Sequence, residues 1–302
     1  MTTFTAERIP AMTGRTVVVT GANSGIGRAA AQALAARGAR VVLAVRDPAK
    51  GHAAAGTMTG DVAVRRLDLA DLASVRAFAD GFTEPIDVLI NNAGLMIPPL
   101  GRTADGFELQ FGTNHLGHFA LTNLLLPRVR GRVVTVSSGA HRAGRIDFDD
   151  LNWERRPYRA LPAYAQSKLA NLLFTAELHR RLTEAGSPVL ATAAHPGLAA
   201  TNLLGHLDDG RSPLRRLRTA VINGLAQSVE DGALPTLYAA VADVPGGGYA
   251  GPGGLLGRGA PKLVGRSRAA RDGALARRLW TVSEELTGVT FPLPATGPAA
   301  RP

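Results

Sequence analysis

The chain has 302 residues, 45% of them hydrophobic, with no cysteine, a formal net charge of +10 and lysine only at Lys50, Lys168 and Lys262. That length can bury a full core in one large domain, and the missing cysteines exclude disulfides, thiolate catalysis and cysteine-ligated zinc. Nearly all the positive charge is dispersed arginine without interleaved aromatics, so general affinity for anions such as phosphate-bearing cofactors is expected and a nucleic-acid partner is not.

Residues 1–12 read as an N-terminal extension. Met1 to Pro10 lacks a basic stretch followed by an apolar one, and no apolar run approaches the ~18 residues of a spanning helix. A cytoplasmic location is expected. The domain proper is expected over residues 13–291, and the Pro-, Ala- and Gly-rich tail over 292–302 is expected to be disordered.

Thr16–Thr20 has the apolar run of a buried parallel strand. It is followed by Gly21-Ala22-Asn23-Ser24-Gly25-Ile26-Gly27, and then by Ile26, Ala29, Ala30, Ala33 and Leu34 at helical spacing until Arg37-Gly38. A strand, a glycine turn and a helix N-terminus together form an anion site. Gly21 and Gly25 permit a tight turn, Gly27 lets helix and sheet approach, and free N–H groups face a pyrophosphate.

Further strands are expected at Arg40–Val45, Val62–Leu67, Ile86–Asn91, Arg132–Ser137 and Val189–Ala194, alternating with helical patterns. This is the α/β class: a single doubly wound Rossmann-type domain with a mostly parallel sheet flanked by helices. The Gly- and Pro-rich stretch from Tyr249 to Gly265 could hold a short strand or only a loop.

Tyr164 and Lys168 stand four residues apart, so on a helix their side chains share a face. A phenol with a pKa of ~10 is a poor catalyst at neutral pH, and a fixed ammonium beside it stabilises the phenolate. Downstream of a dinucleotide signature, this pair reads as proton-handling machinery.

These motifs, with Asn91-Asn92-Ala93-Gly94, Asn114 in Thr-Asn-His-Leu-Gly, Ser138 in Val-Thr-Val-Ser-Ser, and Pro196-Gly197, occur in one order. The chain resembles the short-chain dehydrogenase/reductase family from about Thr13 to Gly288. The runs Tyr164–Leu182 and Leu279–Val289 resemble its branch of retinol dehydrogenases and WW-domain oxidoreductases. The resemblance implies a strand order 3-2-1-4-5-6-7 and a catalytic set of Asn114, Ser138, Tyr164 and Lys168. In that set Ser138 donates to a developing oxyanion, Tyr164 delivers the proton, Lys168 lowers the tyrosine pKa and holds the nicotinamide ribose, and Asn114 supports a water. Neighbouring Ser137 is the alternative serine.

The cofactor contacts implied are Gly21, Asn23, Ser24, Gly25, Ile26, Gly27, Asp68, Leu69, Asn92, Ala93, Gly94, Tyr164, Lys168, Pro196, Gly197 and Thr201. At the end of the second strand Val45 takes the family's usual acidic position and Arg46 follows. An arginine there accommodates a 2′-phosphate, so NADP is expected over NAD, and Asp47 is read as a helix cap.

The family's mobile substrate lid is placed at about 198–229. Within it Leu214, Leu217, Val221 and Leu225 lie beside Arg215, Arg216 and Arg218. A lid with a solvated arginine face is the reading taken over contact with an anionic membrane surface. The leucines of the lid, Met96 and Ile97, and Trp153 in the long loop before Tyr164 are expected to border an apolar pocket, so the partner is an apolar small-molecule substrate. Homo-oligomerisation is compatible with the sequence, which shows no interface.

No metal site is expected: His115 and His118 share a helix face, but no carboxylate stands at ligand spacing. Gly-x-Ser-x-Gly is absent around Ser24, Ser137 and Ser138, which argues against a hydrolase. The alternative to an oxidoreductase is a non-catalytic nucleotide-sensing regulator on the same fold.

Overall fold

A computed structural model describes residues 3–197, 228–254 and 257–294. Its centre is one sheet in the order β3-β2-β1-β4-β5-β6-β7-β8. The strands are β1 (Thr16–Thr20), β2 (Arg40–Val45), β3 (Val62–Arg66), β4 (Ile86–Asn91), β5 (Val129–Val136), β6 (Leu190–Ala194), β7 (Tyr249–Pro252) and β8 (Pro261–Leu263). All pairings are parallel except β7 with β8. The strand order reverses between β1 and β4, which opens a crevice at the carboxyl ends of those strands.

Helices cover both faces. On one side lie α1 (Gly25–Ala35), α2 (Pro48–Ala55) and α7 (Val229–Val241); on the other lie α3 (Leu72–Asp80), α5 (Gly117–Leu125) and α6 (Ala160–Glu184), with α8 (Gly273–Thr287) packed on α6. Alternation along β1 divides the core: Val17 and Val19 pack with Ile26, Ala30 and Leu34 of α1, while Val18 packs with Val75, Phe78 and Phe119 on the far face. All of β1 beyond Thr16 is buried, as a strand covered on both faces requires.

A short helix α4 (Leu109–Phe111) runs through a π-turn, Gly112–Leu116, into α5. The buried Glu108 carboxylate caps it, accepting from Gln110 N and Phe111 N at 3.0 and 2.7 Å. Gly117 N donates to Gly112 O, five residues back. Such π-turns re-aim side chains inside a helix. Two glycines make this one fit, because a Cβ at Gly112 would lie 2.4 Å from Thr103 Cγ2 and one at Gly117 would lie 2.3 Å from Leu69 O.

Four sequence expectations shift. The fifth strand begins at Val129 rather than Arg132 and ends at Val136, leaving Ser137 beyond it, because Val129 already pairs with Ile86. The third strand ends at Arg66 and the sixth starts at Leu190. The stretch from Tyr249 holds two strands, an edge hairpin in which Pro252 opposes Pro261. Proline survives there because the hairpin is at the sheet edge, where its missing N–H breaks no central ladder.

The long loop before Tyr164 is ordered by Arg156, which pairs with Asp147 at 2.6 Å and Asp150 at 3.3 Å and lies 3.9 Å over the Trp153 ring. Except for Ser228 and Val229, the expected lid at 198–229 falls outside the described residues, as do Thr201, the Leu214–Leu225 stripe and the tail from residue 295. Among the described residues no helix is long and apolar enough to cross a membrane, and no group of three His, Asp or Glu is placed to hold a metal.

Candidate active site

The crevice is a cavity of about 500 Å³ at the carboxyl ends of β1, β2, β4 and β5. Its floor is the turn from β1 into α1, where Gly21 and Gly25 take φ of +66° and +54°, a region that favours glycine. Ser24 precedes α1 in an extended conformation, and its side chain makes no capping bond. The first-turn N–H groups of α1 therefore lack a side-chain cap and open toward the cavity with the positive end of the helix dipole. Gly21, Asn23, Ser24, Gly25, Ile26 and Gly27 all line it.

The turn after β4 closes against this one. Thr20 Oγ1 accepts from Asn92 N and Ala93 N, both at 2.9 Å, and the Asn92 side-chain amide donates to Thr20 O at 2.8 Å. A Cβ at Gly21 would lie 2.9 Å from Ala93, and one at Gly27 would lie 2.3 Å from Asn92 Nδ2. These close approaches explain why both positions carry glycine. Asn92, Ala93 and Gly94 line the cavity beside Asp68 and Leu69. Asp68 is held in a tight turn, its carboxylate accepting from Ala70 N at 3.0 Å.

At the far wall, α6 brings Tyr164 and Lys168 to the cavity. Lys168 Nζ lies 5.7 Å from the Tyr164 ring centre and donates to Val136 O at 3.1 Å. Burial pulls the Lys168 ammonium down to about 8. Burial also pushes the Tyr164 phenol above its ordinary value, and the nearby Ser138 hydroxyl offsets part of that rise. In this state desolvation outweighs the expected lowering by Lys168. Ser138 caps the 3-10 turn Gly139–Ala143, its hydroxyl accepting from Ala140 N at 3.2 Å. The alternative serine, Ser137, lines the cavity where Ser138 does not, but its hydroxyl is engaged, donating to Lys168 O at 2.7 Å.

Asn114 sits in the π-turn behind Gly94 and is fully buried. Its Oδ1 accepts from Leu95 N at 2.7 Å, and its Nδ2 donates to Leu95 O at 3.0 Å and Ser167 Oγ at 2.9 Å. The side chain is thus committed to tying three elements together.

At the end of β2, Val45 is buried and would touch a Cβ at Gly51, so this position faces α2. Arg46 lines the cavity and is exposed, with no hydrogen bond or ion pair among the described residues. Asp47 caps α2, accepting from Ala49 N at 3.0 Å and Lys50 N at 3.2 Å, as its position before Pro48 implies.

Some expected residues stand elsewhere. Pro196 lines the cavity, but Gly197 turns away: its φ is +70°, and a Cβ there would lie 2.0 Å from Gly257 O. Met96, Ile97 and Trp153 do not line the cavity, which is walled instead by Leu95, Pro98 and Leu109. Ile97 has φ +56° and Trp153 φ +58°, and the Trp153 ring packs edge-on against Tyr158 at 5.7 Å. The two histidines do not act as a pair either, since His115 contacts Ser283 while His118 contacts Thr20, both within the core.

Two residues escaped the sequence reading. His141 donates from Nδ1 to Ser138 O at 2.7 Å and packs edge-on against Tyr249 at 5.6 Å. The buried Tyr249 hydroxyl lies beside Ser137 without an aligned hydrogen bond. The missed edge hairpin hid Tyr249, and nothing local marks His141.

Residues 15–212 match the family model of the short chain dehydrogenases. The chain is 47% identical over 296 residues to retinol dehydrogenase 13 of Homo sapiens, covering 92% of this chain and 86% of that protein. It is 44% identical over 292 residues to human retinol dehydrogenase 12, covering 92% and 88%. A crystal structure of an uncharacterized protein from Mycobacterium paratuberculosis is 54% identical with a TM-score of 0.85, covering 97% of this chain and 100% of that one. An NAD(P)-dependent gluconate 5-dehydrogenase structure from Beutenbergia cavernae, with bound NADP, is 29% identical with a TM-score of 0.57, covering 76% and 91%.

Proposed function

The chain belongs to the short-chain dehydrogenase family, and we propose that it transfers a hydride between NADP(H) and the carbonyl or alcohol carbon of an apolar substrate, with Tyr164 as the acid-base group. Membership makes it an NAD(P)-dependent oxidoreductase acting on alcohol and carbonyl groups. The observation that carries the finer reading is Tyr164 in the wall of a glycine-lined cavity, with the buried Lys168 ammonium 5.7 Å from its ring centre and the Ser138 hydroxyl nearby.

The residues present fit a dinucleotide. A Cβ at Gly21 or Gly27 would fill the cradle, and the first turn of α1 offers its N–H groups to a pyrophosphate. Bound there, the nicotinamide supplies or accepts the hydride. Arg46, exposed and without a carboxylate partner among the described residues, supports the 2′-phosphate form. Thr201 and the segment 198–229 complete this proposal as cofactor contact and lid.

In the reducing direction the Tyr164 hydroxyl gives its proton to the substrate oxygen as negative charge builds there. Burial raises the phenol pKa and so keeps the group protonated and ready to donate at neutral pH. Ser138 donates to the same oxygen, and the Lys168 ammonium stabilises the phenolate left behind. Asn114 holds Leu95 and Ser167, and through them the cavity wall, in register with α6. The apolar substrate class is supported by Leu95, Pro98 and Leu109 in the wall and by similarity to retinol dehydrogenases.

The test is NADPH oxidation against aldehydes, ketones, quinones and retinal, with Tyr164→Phe as control. Turnover by the wild type should fall at least ~10²-fold in the variant, with NADPH affinity kept. NADPH binding with no turnover on any carbonyl would favour the regulator instead.

A further inference from the structure

His118 is 1% exposed and lies under the floor of the cavity, yet the mechanism above gives it no part. Its two ring nitrogens meet different partners. Nε2 lies 2.9 Å from Thr20 Oγ1, and Nδ1 lies 3.1 Å from Asn114 O.

The proton positions follow from counting donors and acceptors. A hydroxyl has one hydrogen and two lone pairs. Both Thr20 lone pairs are taken by Asn92 N and Ala93 N at 2.9 Å. The Thr20 hydrogen has two possible acceptors, His118 Nε2 at 2.9 Å or Ile90 O at 3.4 Å, and the shorter contact is the stronger. A proton on Nε2 would place a third donor on the same oxygen. A carbonyl can only accept, so Nδ1 carries the hydrogen facing Asn114 O. Every partner is satisfied by one tautomer.

We propose that His118 is a positioning residue for the dinucleotide cavity: a neutral imidazole, protonated on Nδ1, that fixes the Thr20 hydroxyl and so clamps the glycine turn to the Asn92-Ala93-Gly94 turn. With its hydrogen held by Nε2, the hydroxyl presents both lone pairs to the second turn. Released, it would compete for Ile90 O and leave the two backbone donors poorly met. The other nitrogen anchors the clamp to Asn114 O in the π-turn, the residue whose side chain holds Leu95. This inference rests on the proposed use of the cavity for a dinucleotide.

The experiment measures NADPH affinity by fluorescence titration, together with kcat and KM for NADPH. His118→Phe keeps the ring volume and loses both bonds; the dissociation constant and KM should rise about tenfold, the scale of one buried hydrogen bond, with kcat within threefold of wild type. His118→Gln can still present an oxygen to Thr20 and should restore affinity to within threefold, whereas the shorter His118→Asn should not. Thr20→Val should resemble the phenylalanine variant, and the double variant should be no weaker than either single one.

Unchanged affinity in His118→Phe, or additive effects in the double variant, overturns the clamp. Should the phenylalanine variant fail to fold, glutamine and asparagine decide, and equal affinities overturn it. Long-range ¹⁵N spectra of the wild type without nucleotide read the tautomer directly. A hydrogen on Nε2 of His118 also overturns the clamp, whatever the cavity binds. Failure of the wild type to bind either NADPH or NADH would overturn the dinucleotide reading while leaving that spectrum to judge the tautomer.

Discussion

The Lys168 ammonium donates to the carbonyl oxygen of Val136 at 3.1 Å, tying the middle of α6 to the last residue of β5. Asn171, one turn on, donates to the same oxygen at 3.1 Å, and Ser137 returns a bond to Lys168 O at 2.7 Å. Strand end and helix are thus sewn together from both sides. The consequence is that the Ser138 hydroxyl lies beside the Tyr164 phenol, 26 positions on in the sequence, without a direct backbone link.

Lys168 should impose an alkaline limit. Burial pulls its pKa down to about 8, so the charge that stabilises a Tyr164 phenolate is lost as pH rises through that value. For carbonyl reduction, kcat/KM should fall above about pH 8. Lys168→Arg keeps its charge far higher and should move that limb upward by more than one pH unit, even if overall activity drops. Profiles of both proteins between pH 6 and 10 check this, and an unmoved limb would assign the loss to another group.

Acid should weaken the fold through two core histidines. Desolvation, the largest cause for both, pulls His115 down to about 3 and His118 to about 4. Their unfolded pKa is ~6.5. Below that value the unfolded chain takes up protons that the native state refuses, so stability falls as pH drops from about 6.5 toward 4. The slope of 1.36 kcal/mol per pH unit gives about 2 kcal/mol for each histidine between pH 6.5 and pH 5. Urea unfolding at pH 7 and pH 5 should show this loss, and His115→Leu should remove about half of the part due to the pair.

What the sequence made legible was the part written in contiguous residues. β1, β2 and β4 fall at the expected bounds because each is an apolar run ended by a turn signal. The start of β5 was hidden by Arg130 and Gly131, and the edge hairpin by its glycines and prolines, whose places depend on being at the margin of the sheet. In the site, the glycine turn and Tyr164-x-x-x-Lys168 were readable because their spacing carries the chemistry. The orientation of Trp153 and Ile97 was not, since both adopt positive φ to satisfy tertiary contacts. The sequence showed of His118 only that no metal-ligand partner stands near it, for its partner Thr20 lies 98 residues away.

Arg46 should set the nucleotide preference. Catalytic efficiency with NADPH should exceed that with NADH, and Arg46→Asp should shift preference toward NADH. A hydrogen bond to a charged group contributes about 1.5–3 kcal/mol, which corresponds to a ten- to hundredfold change. Asp47 lines the same part of the cavity, but one of its oxygens caps α2 and the other faces the Lys50 ammonium at 3.8 Å, so Arg46 and Lys50 leave that corner cationic. Steady-state kinetics with both nucleotides test this. Equal preference in both proteins would remove Arg46 from the site.

An apolar wall should select what enters beside Tyr164. The wall there is Leu95, Pro98 and Leu109, braced from behind by Gln110, which accepts from Ile97 N at 3.0 Å and donates to Tyr158 Oη and Ala160 O, both at 2.9 Å. This bracing ties the wall to α6, so the apolar surface is preformed rather than assembled around a ligand. A straight-chain aldehyde should therefore gain from each methylene it buries there. At up to ~0.8 kcal/mol per methylene, kcat/KM should climb about two- to fourfold per added carbon and then level where the chain leaves the wall. Gln110→Leu should lower efficiency for the longer aldehydes more than for the shortest, because loosening the brace costs only those substrates that reach the wall. A series that is flat in the wild type, or a clear preference for charged substrates, would refute the apolar pocket and leave the hydride-transfer reading standing on Ser138, Tyr164 and Lys168.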